Sequence, residues 1–119
     1  MNDLEERTIV FSQEVIRLIK RIKITILNKN IIEQLLRSAT SIGANYQEAN
    51  GASSKKDFKN KISICKKEAM ETKYWLRLLA EVEEGLKEKI RILWKEGHEL
   101  TLIFSKIVKS TRNKDKDND

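Results

Sequence analysis

Apolar positions recur along this chain at alternating spacings of four and three residues. The first such seam is Leu4, Thr8, Phe11, Val15, Leu18 and Ile22, the pattern of a helix packed into a bundle. Ile9, Ile16 and Ile19 widen it into a broad apolar face, and the spacing predicts a helix over about residues 4–27. The segment ITILNKN weakens that helix, because β-branched residues are poor helix formers and Asn28 suits a left-handed C-terminal position. Asn30 then offers an N-cap for a second helix over 31–50, with Glu33 placed to return a hydrogen bond.

The second seam is Leu35, Ala39, Ile42, Tyr46 and Ala49. Gly43 lies mid-helix, at a cost of about 1 kcal/mol relative to alanine. Such a glycine marks close approach by a neighbouring backbone, helped here by Ser41 and Ala44. The run from residue 38 to 45 is poor in helix formers, so tertiary packing must hold it. Gly51-Ala52-Ser53-Ser54 is the clearest break in the chain. Ser54 caps a third helix over 55–83, with Asp57 near the positive end of its dipole. Its seam is Phe58, Ile62, Cys65, Ala69, Thr72, Leu76 and Leu79. After a turn at Gly85, a fourth helix over 86–110 uses Leu86, Ile90, Leu93, Gly97, Leu100, Phe104 and Ile107.

Four amphipathic helices joined by short connections predict an all-α fold, an antiparallel up-down-up-down four-helix bundle over residues 1–111. Residues 112–119 carry no apolar side chain and read as a disordered charged tail. Composition agrees: the 119 residues include no proline and four glycines, enough chain for one domain with its own core. No apolar run is long enough to span a membrane, and the acidic, polar N-terminus does not read as a signal peptide. A single cysteine is compatible with a reducing compartment, so the expected location is the cytoplasm.

The net charge of +6 is unevenly placed, since residues 51–80 hold eight basic and three acidic groups. Between residues 38 and 54, by contrast, the only charged side chain is Glu48, in a chain that is 35% charged. A helix with so little charge should be covered on more than one side, by its own bundle, a second subunit or a nucleic-acid partner. On a wheel of about 100° per residue, the third helix sorts its charges by sign. Lys55, Lys59, Lys66, Lys73 and Arg77 fall on one flank of the apolar seam. Asp57, Glu68 and Glu71 fall on the other, with Ile64 and Trp75. Exposed ion pairs contribute only about 0–1 kcal/mol each, so a solitary bundle gains little from such sorting. Identical neighbours could instead meet flank to flank, head to tail, and close into a ring. Trp75 is either a hot spot of that contact or a cover for the edge of the monomer core. On the second helix Arg37, Ser41, Asn45 and Glu48 share one flank, as a polar network or as an ordinary polar edge. Trp94, beside its seam, reads as plain core.

Catalytic chemistry is hard to find. Carboxylate-bridged di-metal bundles require Glu-x-x-His on two helices, whereas the one histidine, His98, follows Lys95 at that spacing. Cys65 lies on the core seam, where a thiol is structural. No phosphate-binding glycine loop or nucleophile motif appears, so neither catalysis nor a cofactor or metal is expected. Three readings remain. In the first, Asp57, Ile64, Lys66, Glu68, Glu71, Lys73 and Trp75 form a subunit contact of a homo-oligomer. In the second, Lys55, Lys59, Lys66, Lys73 and Arg77 contact RNA or DNA phosphates. In the third, the partner is another protein, suggested only by the uncharged helix.

The segments Gln34-Leu35-Leu36-Arg37-Ser38, Ser41-Ile42-Gly43-Ala44-Asn45, Glu48-Ala49, Lys55-Lys56-Asp57-Phe58 and Lys67-Glu68-Ala69-x-Glu71-Thr72-x-Tyr74-Trp75-Leu76-x-Leu78-Leu79 resemble a known signature. It is that of the bacterial four-helix bundle proteins encoded in intervening sequences of 23S ribosomal RNA genes, related to the accessory variability determinant proteins of diversity-generating retroelements. The resemblance is dense over residues 34–79 and rests mainly on hydrophobic spacing elsewhere. It implies an antiparallel four-helix bundle assembled as a homopentamer without enzymatic activity, in a family whose function is mostly unknown. Its retroelement relatives are basic pentamers that bind nucleic acid and work with a reverse transcriptase. The modest excess charge of this chain, with many acidic groups on its first and fourth helices, departs from those relatives.

Overall fold

The computed structural model describes the backbone of residues 3–117 and side chains through residue 111. Four α-helices follow one another: α1 Asp3–Lys20, α2 Lys29–Asn50, α3 Lys55–Val82 and α4 Lys87–Asp117, with a single 3₁₀ turn, Glu84–Leu86, between α3 and α4. Among the described residues there is no strand, so the fold is all-α. The molecule is elongated, 53 × 23 × 21 Å.

The seams are the core. Thr8, Phe11, Val15 and Leu18 of α1 are buried, as are Leu35, Ala39, Ile42, Tyr46 and Ala49 of α2. Ile62, Cys65, Ala69, Leu76 and Leu79 of α3 meet Ile90, Leu93, Leu100 and Phe104 of α4 in the same cluster, and Thr72 is buried beside them. Each large aliphatic or aromatic side chain so buried contributes about 1.5–3 kcal/mol, which explains how α2 holds together despite its small, weakly helical residues. Contacts run α1 to α2, α2 to α3 and α3 to α4, and a narrower one links α1 to α4. Partners appear in opposed order along neighbouring helices. Ser12 reaches the Ala39 carbonyl while Thr8 lies against Gly43. Arg37 meets Glu71, and Glu48 meets Lys61.

α1 packs closely on α2 at Gly43: a Cβ there would stand 3.2 Å from Thr8 Oγ1 and 3.3 Å from Thr8 Cβ. The close approach read from the sequence is therefore made by α1. Ser54 caps α3 with extended backbone, its Oγ accepting from the Asp57 amide at 3.0 Å.

Three boundaries differ from the sequence reading. The first helix stops at Lys20 instead of running to residue 27, closing with short-range bonds from the Arg21 amide to the Leu18 carbonyl and from the Ile22 amide to the Ile19 carbonyl. Ile22 is still buried, so the apolar period outlasts the helix that it suggested. Asn28 adopts ordinary right-handed backbone (φ −104°) and no non-glycine residue described has positive φ. Asn28, not Asn30, precedes α2, and its side chain serves the loop instead of capping: Oδ1 accepts from the Thr25 amide at 2.8 Å and Nδ2 donates to the Lys23 carbonyl at 2.9 Å. Finally, α4 continues to Asp117 where composition pointed to a disordered tail. No proline or glycine stands after Gly97 to stop it. Residues 118–119 lie outside the described residues.

Candidate functional site

Two groups of residues that the sequence kept apart meet along the α2/α3 seam. From α2 come Arg37, Ser41, Asn45 and Glu48; from α3 come Lys61, Ile64, Glu68, Glu71 and Trp75, while Asp57, in the first turn of α3, lies beyond the last of the cross-helix pairs, Glu48–Lys61. At one end Arg37 donates from Nη1 to Glu68 Oε2 at 3.1 Å and from Nη2 to Glu71 Oε2. Trp75 Nε1 donates to the same Glu71 oxygen at 3.1 Å. The Glu68 side chain is 9% exposed and Arg37 47%, so this guanidinium lies across a nearly buried carboxylate. At the other end Lys61 Nζ stands 3.7 Å from Glu48 Oε2.

Between the two ion pairs the seam carries no charge. Ser41 donates to the Arg37 carbonyl at 2.6 Å and Asn45 to the Ser41 carbonyl at 2.8 Å. The α2 row is therefore not a side-chain network. Its middle members bond their own helix backbone, and only its ends cross to α3. Ile64 is 37% exposed beside them, and the outward residues of α2 here, Thr40, Ser41, Ala44, Asn45 and Gln47, are half-buried or exposed and uncharged.

Lys73, on the opposite flank of α3, is engaged with α4. Its Nζ lies 3.1 Å from His98 Nδ1 and 5.4 Å from the centroid of Trp94, whose ring stacks on His98 at 5.2 Å and 9°. Lys73 crosses beside Gly97, where a Cβ would stand 3.5 Å from Lys73 Cγ, an ordinary contact distance. Trp94 is thus half-buried and not the plain core its seam suggested, and its Nε1 is a buried donor without a partner. Of the other basic residues on this flank, Lys55 and Arg77 are exposed and Lys59 and Lys66 half-buried. Arg77 lines a groove of about 370 Å³ between α3 and α4, with Leu76, Ala80, Lys87, Ile90, Arg91 and Trp94.

A larger groove, about 660 Å³, opens between α1 and α4. Phe11, Leu18 and Leu93 contribute to its floor, Val10 and Ile92 stand 42% and 57% exposed, and the lining residue Glu96 is held by Arg7 in a bidentate pair at 2.7 and 2.8 Å. The Glu96 hydrogen bonds hold the Arg7 guanidinium above its already high ordinary value. Neither this groove nor the Lys73–His98–Trp94 cluster can be found from periodicity, because both depend on how α4 is rotated against its neighbours.

Cys65 is fully buried, with Sγ 3.5 Å from the Ile42 carbonyl, and desolvation pushes its thiol up to about 12. It remains a thiol at neutral pH and is no nucleophile. Among the described residues no three of His, Cys, Asp and Glu are grouped to hold a metal ion, and no helix is long and apolar enough to cross a membrane.

The 23S rRNA-intervening sequence protein family model matches residues 2–106. The chain belongs to this family. A solved structure with the same fold is a protein of unknown function from the S23 ribosomal protein family of Bacteroides thetaiotaomicron. It is 35% identical, with a TM-score of 0.76 over 88% of this chain and 97% of the other. No curated protein matches the chain. The residues of the α2/α3 seam thus sit in a family and beside a neighbour for which no activity is known.

Proposed function

We propose that this family member is a non-catalytic helical bundle that assembles with copies of itself, the α2/α3 seam forming much of the contact. The observation that carries this reading is the uncharged strip of Ser41, Ala44, Asn45 and Ile64 held between the Arg37 and Glu48 ion pairs, in a chain that is 35% charged. Desolvating such a strip costs little, and partly exposed Ile64 and Trp75 supply apolar area at its centre and end. The matching of opposite flanks between subunits loses force, because Glu68 and Glu71 are already answered by Arg37 within the chain. Asp57 then sits at the margin of the contact, while Lys66 and Lys73 fall outside it, on the opposite flank of α3 where Lys73 is engaged by His98 and Trp94 of α4. The resemblance noted above favours a pentamer. Light scattering tests this directly: a mass near five times 13.9 kDa is expected, reduced to one subunit by Ala44→Arg with Ile64→Glu at unchanged helicity. A single-subunit mass for the unaltered protein at micromolar concentration would rule the reading out.

A second reading, binding of RNA or DNA through phosphates, is favoured by a specific observation. With Glu68 and Glu71 turned to Arg37, the outward face of α3 from Lys56 through Lys59, Lys66 and Lys67 to Arg77 presents basic groups and no carboxylate. Met70 and Tyr74 stand 51% and 55% exposed among them. Each phosphate contact steepens the salt dependence of binding by about 0.9 in the log–log slope. Titration of labelled RNA across a salt series reads that slope directly, and absence of binding at low salt removes this reading.

A further inference from the structure

The loop between α1 and α2 turns its apolar side chains outward. Among the described residues Ile26 and Leu27 are the most exposed large apolar side chains, at 96% and 71%, and Ile24 beside them is 53% exposed. Single exposed aliphatics are ordinary on a protein surface, but a contiguous cluster of them marks an interaction site. The flanks of this cluster are basic. Arg17, Lys20, Arg21, Lys23 and Lys29 are all exposed, and no Asp or Glu stands between Glu14 and Glu33. Arg17 is answered by Glu14. Among the described residues the other four pair with no carboxylate.

The loop is braced from within. Asn28 is fully buried, accepting from the Thr25 amide at 2.8 Å and donating to the Lys23 carbonyl at 2.9 Å. The Lys29 amide closes on the Thr25 carbonyl at 3.0 Å. The Lys23 carbonyl and both polar groups of the Thr25 backbone are therefore satisfied inside the molecule. That lowers the cost of taking the tip out of water.

A braced apolar tip within a collar of cations matches one kind of surface. Nucleic acid would answer the cations but not the aliphatic side chains, because bases are gripped by aromatic or guanidinium stacking. The interface of an anionic bilayer answers both: its acyl chains take the aliphatics while its headgroup phosphates face the cations. We propose that the α1/α2 loop docks this protein on anionic phospholipid bilayers. Ile24, Ile26 and Leu27 enter the interface, and Lys20, Arg21, Lys23 and Lys29 lie at headgroup level. The protein rests on the bilayer without spanning it, since no described helix is long and apolar enough to cross. The α3/α4 turn, which the opposed helix directions bring to the same end, carries Glu83 and Glu84 and packs on α3 and α4 alone among the helices. Repulsion from those carboxylates tilts the docked edge toward α1 and α2. The loop shares no residue with the α2/α3 seam or the basic flank of α3, so it stands apart from both readings above.

Sedimentation with vesicles of equal parts phosphatidylglycerol and phosphatidylcholine tests the docking, against vesicles of phosphatidylcholine alone. Binding is expected to the anionic vesicles, and at least about tenfold weaker to the neutral ones. Ile26→Ser with Leu27→Ser should weaken anionic binding at least about tenfold, with helicity and the mass in light scattering unchanged. Lys23→Gln with Lys29→Gln should weaken it about twentyfold, each cation near the surface being worth about fivefold. A bimane dye on Ile26→Cys can be placed selectively because Cys65 is buried, and should shift to the blue on anionic vesicles. The same dye on Ser53→Cys, in the exposed connection at the opposite end, should not shift. Absence of binding to anionic vesicles at low salt overturns the proposal. Full affinity in the serine pair overturns it as well, because charge adsorption alone would then account for binding. A lower mass for the serine pair would make the tip a subunit contact, and loss of RNA binding with vesicle binding intact would assign it to a strand; either result also overturns the docking.

Discussion

The two mid-helix glycines at packed positions should respond in opposite directions to the same substitution. Alanine at either site gains about 1 kcal/mol of helix propensity. At Gly97 the new methyl would lie 3.5 Å from Lys73 Cγ and 3.7 Å from Phe11 Cζ, ordinary contact distances, and would bury further apolar area. Gly97→Ala should therefore stabilise the protein by about 1 kcal/mol. At Gly43 the methyl would meet Thr8 Oγ1 at 3.2 Å and Thr8 Cβ at 3.3 Å. The Cβ is tied to the backbone of α1, so relief requires α1 to move off α2. Overpacking of this kind costs about 1–3 kcal/mol, which outweighs the propensity gain and leaves Gly43→Ala destabilised by about 1 kcal/mol. The separation between the variants is then about 2 kcal/mol. For a chain of this length that corresponds to about 8 °C between their melting temperatures, taking about 2.1 cal/mol/K of unfolding entropy per residue. Urea denaturation followed by circular dichroism at 222 nm measures it. Stabilisation of both variants by similar amounts would show that α1 yields without cost and refute the reasoning.

Other outcomes can be checked on the same footing. Arg37→Met strips the cation from nearly buried Glu68 and should cost about 2 kcal/mol, between the values for exposed and buried pairs. Adding Glu68→Gln should recover part of that loss in a double-mutant cycle, and strictly additive losses would refute the coupling. Asn28→Ala removes both loop-closing side-chain bonds from a fully buried position and should cost about 2 kcal/mol in denaturation; a loss below about 0.5 kcal/mol would mean the loop closes without it. Cys65 should resist alkylation in the native protein and react once unfolded. Its thiol ionises at about 12 folded against an ordinary 9.0, so the unfolded chain releases its proton first and stability should fall as pH rises between those values. A Cys65→Ala variant with the same alkaline decline would assign that decline elsewhere.

The core was legible in the sequence because periodicity reports burial directly. Thr8 on α1 and Thr72 on α3 were placed on their seams by position alone, against their polarity, and both are fully buried. The end of α1 was not legible for the same reason: Ile22 keeps the period although the helix has ended at Lys20, and the loop that follows is closed by Asn28 bonding Lys23 and Thr25. Ile24, Ile26 and Leu27 are apolar and yet 53%, 96% and 71% exposed, which no apolar count can reveal. The sorting of charges on α3 was readable, but the partner of the acidic flank was not. That partner is Arg37, thirty-one residues before Glu68, and finding it requires the register of α2 against α3. His98 and Trp94 escaped for the same reason on the α4 side.

The open groove between α1 and α4 has a kinetic consequence. α2, α3 and α4 follow one another through short turns and share broad contacts, so this trio can close with little loop entropy and form early. α1 leans chiefly on α2 and reaches α4 through a narrow contact with the Arg7–Glu96 pair. It should therefore come off as a unit, at lower free energy than global unfolding, and native-state hydrogen exchange would report it as a cooperative opening confined to residues 3–20. Protection of α1 equal to that of α3 would show one indivisible fold. If α1 does open alone, the three remaining helices keep the α2/α3 seam and the α3/α4 groove intact, and the first helix becomes the part of this protein free to exchange partners.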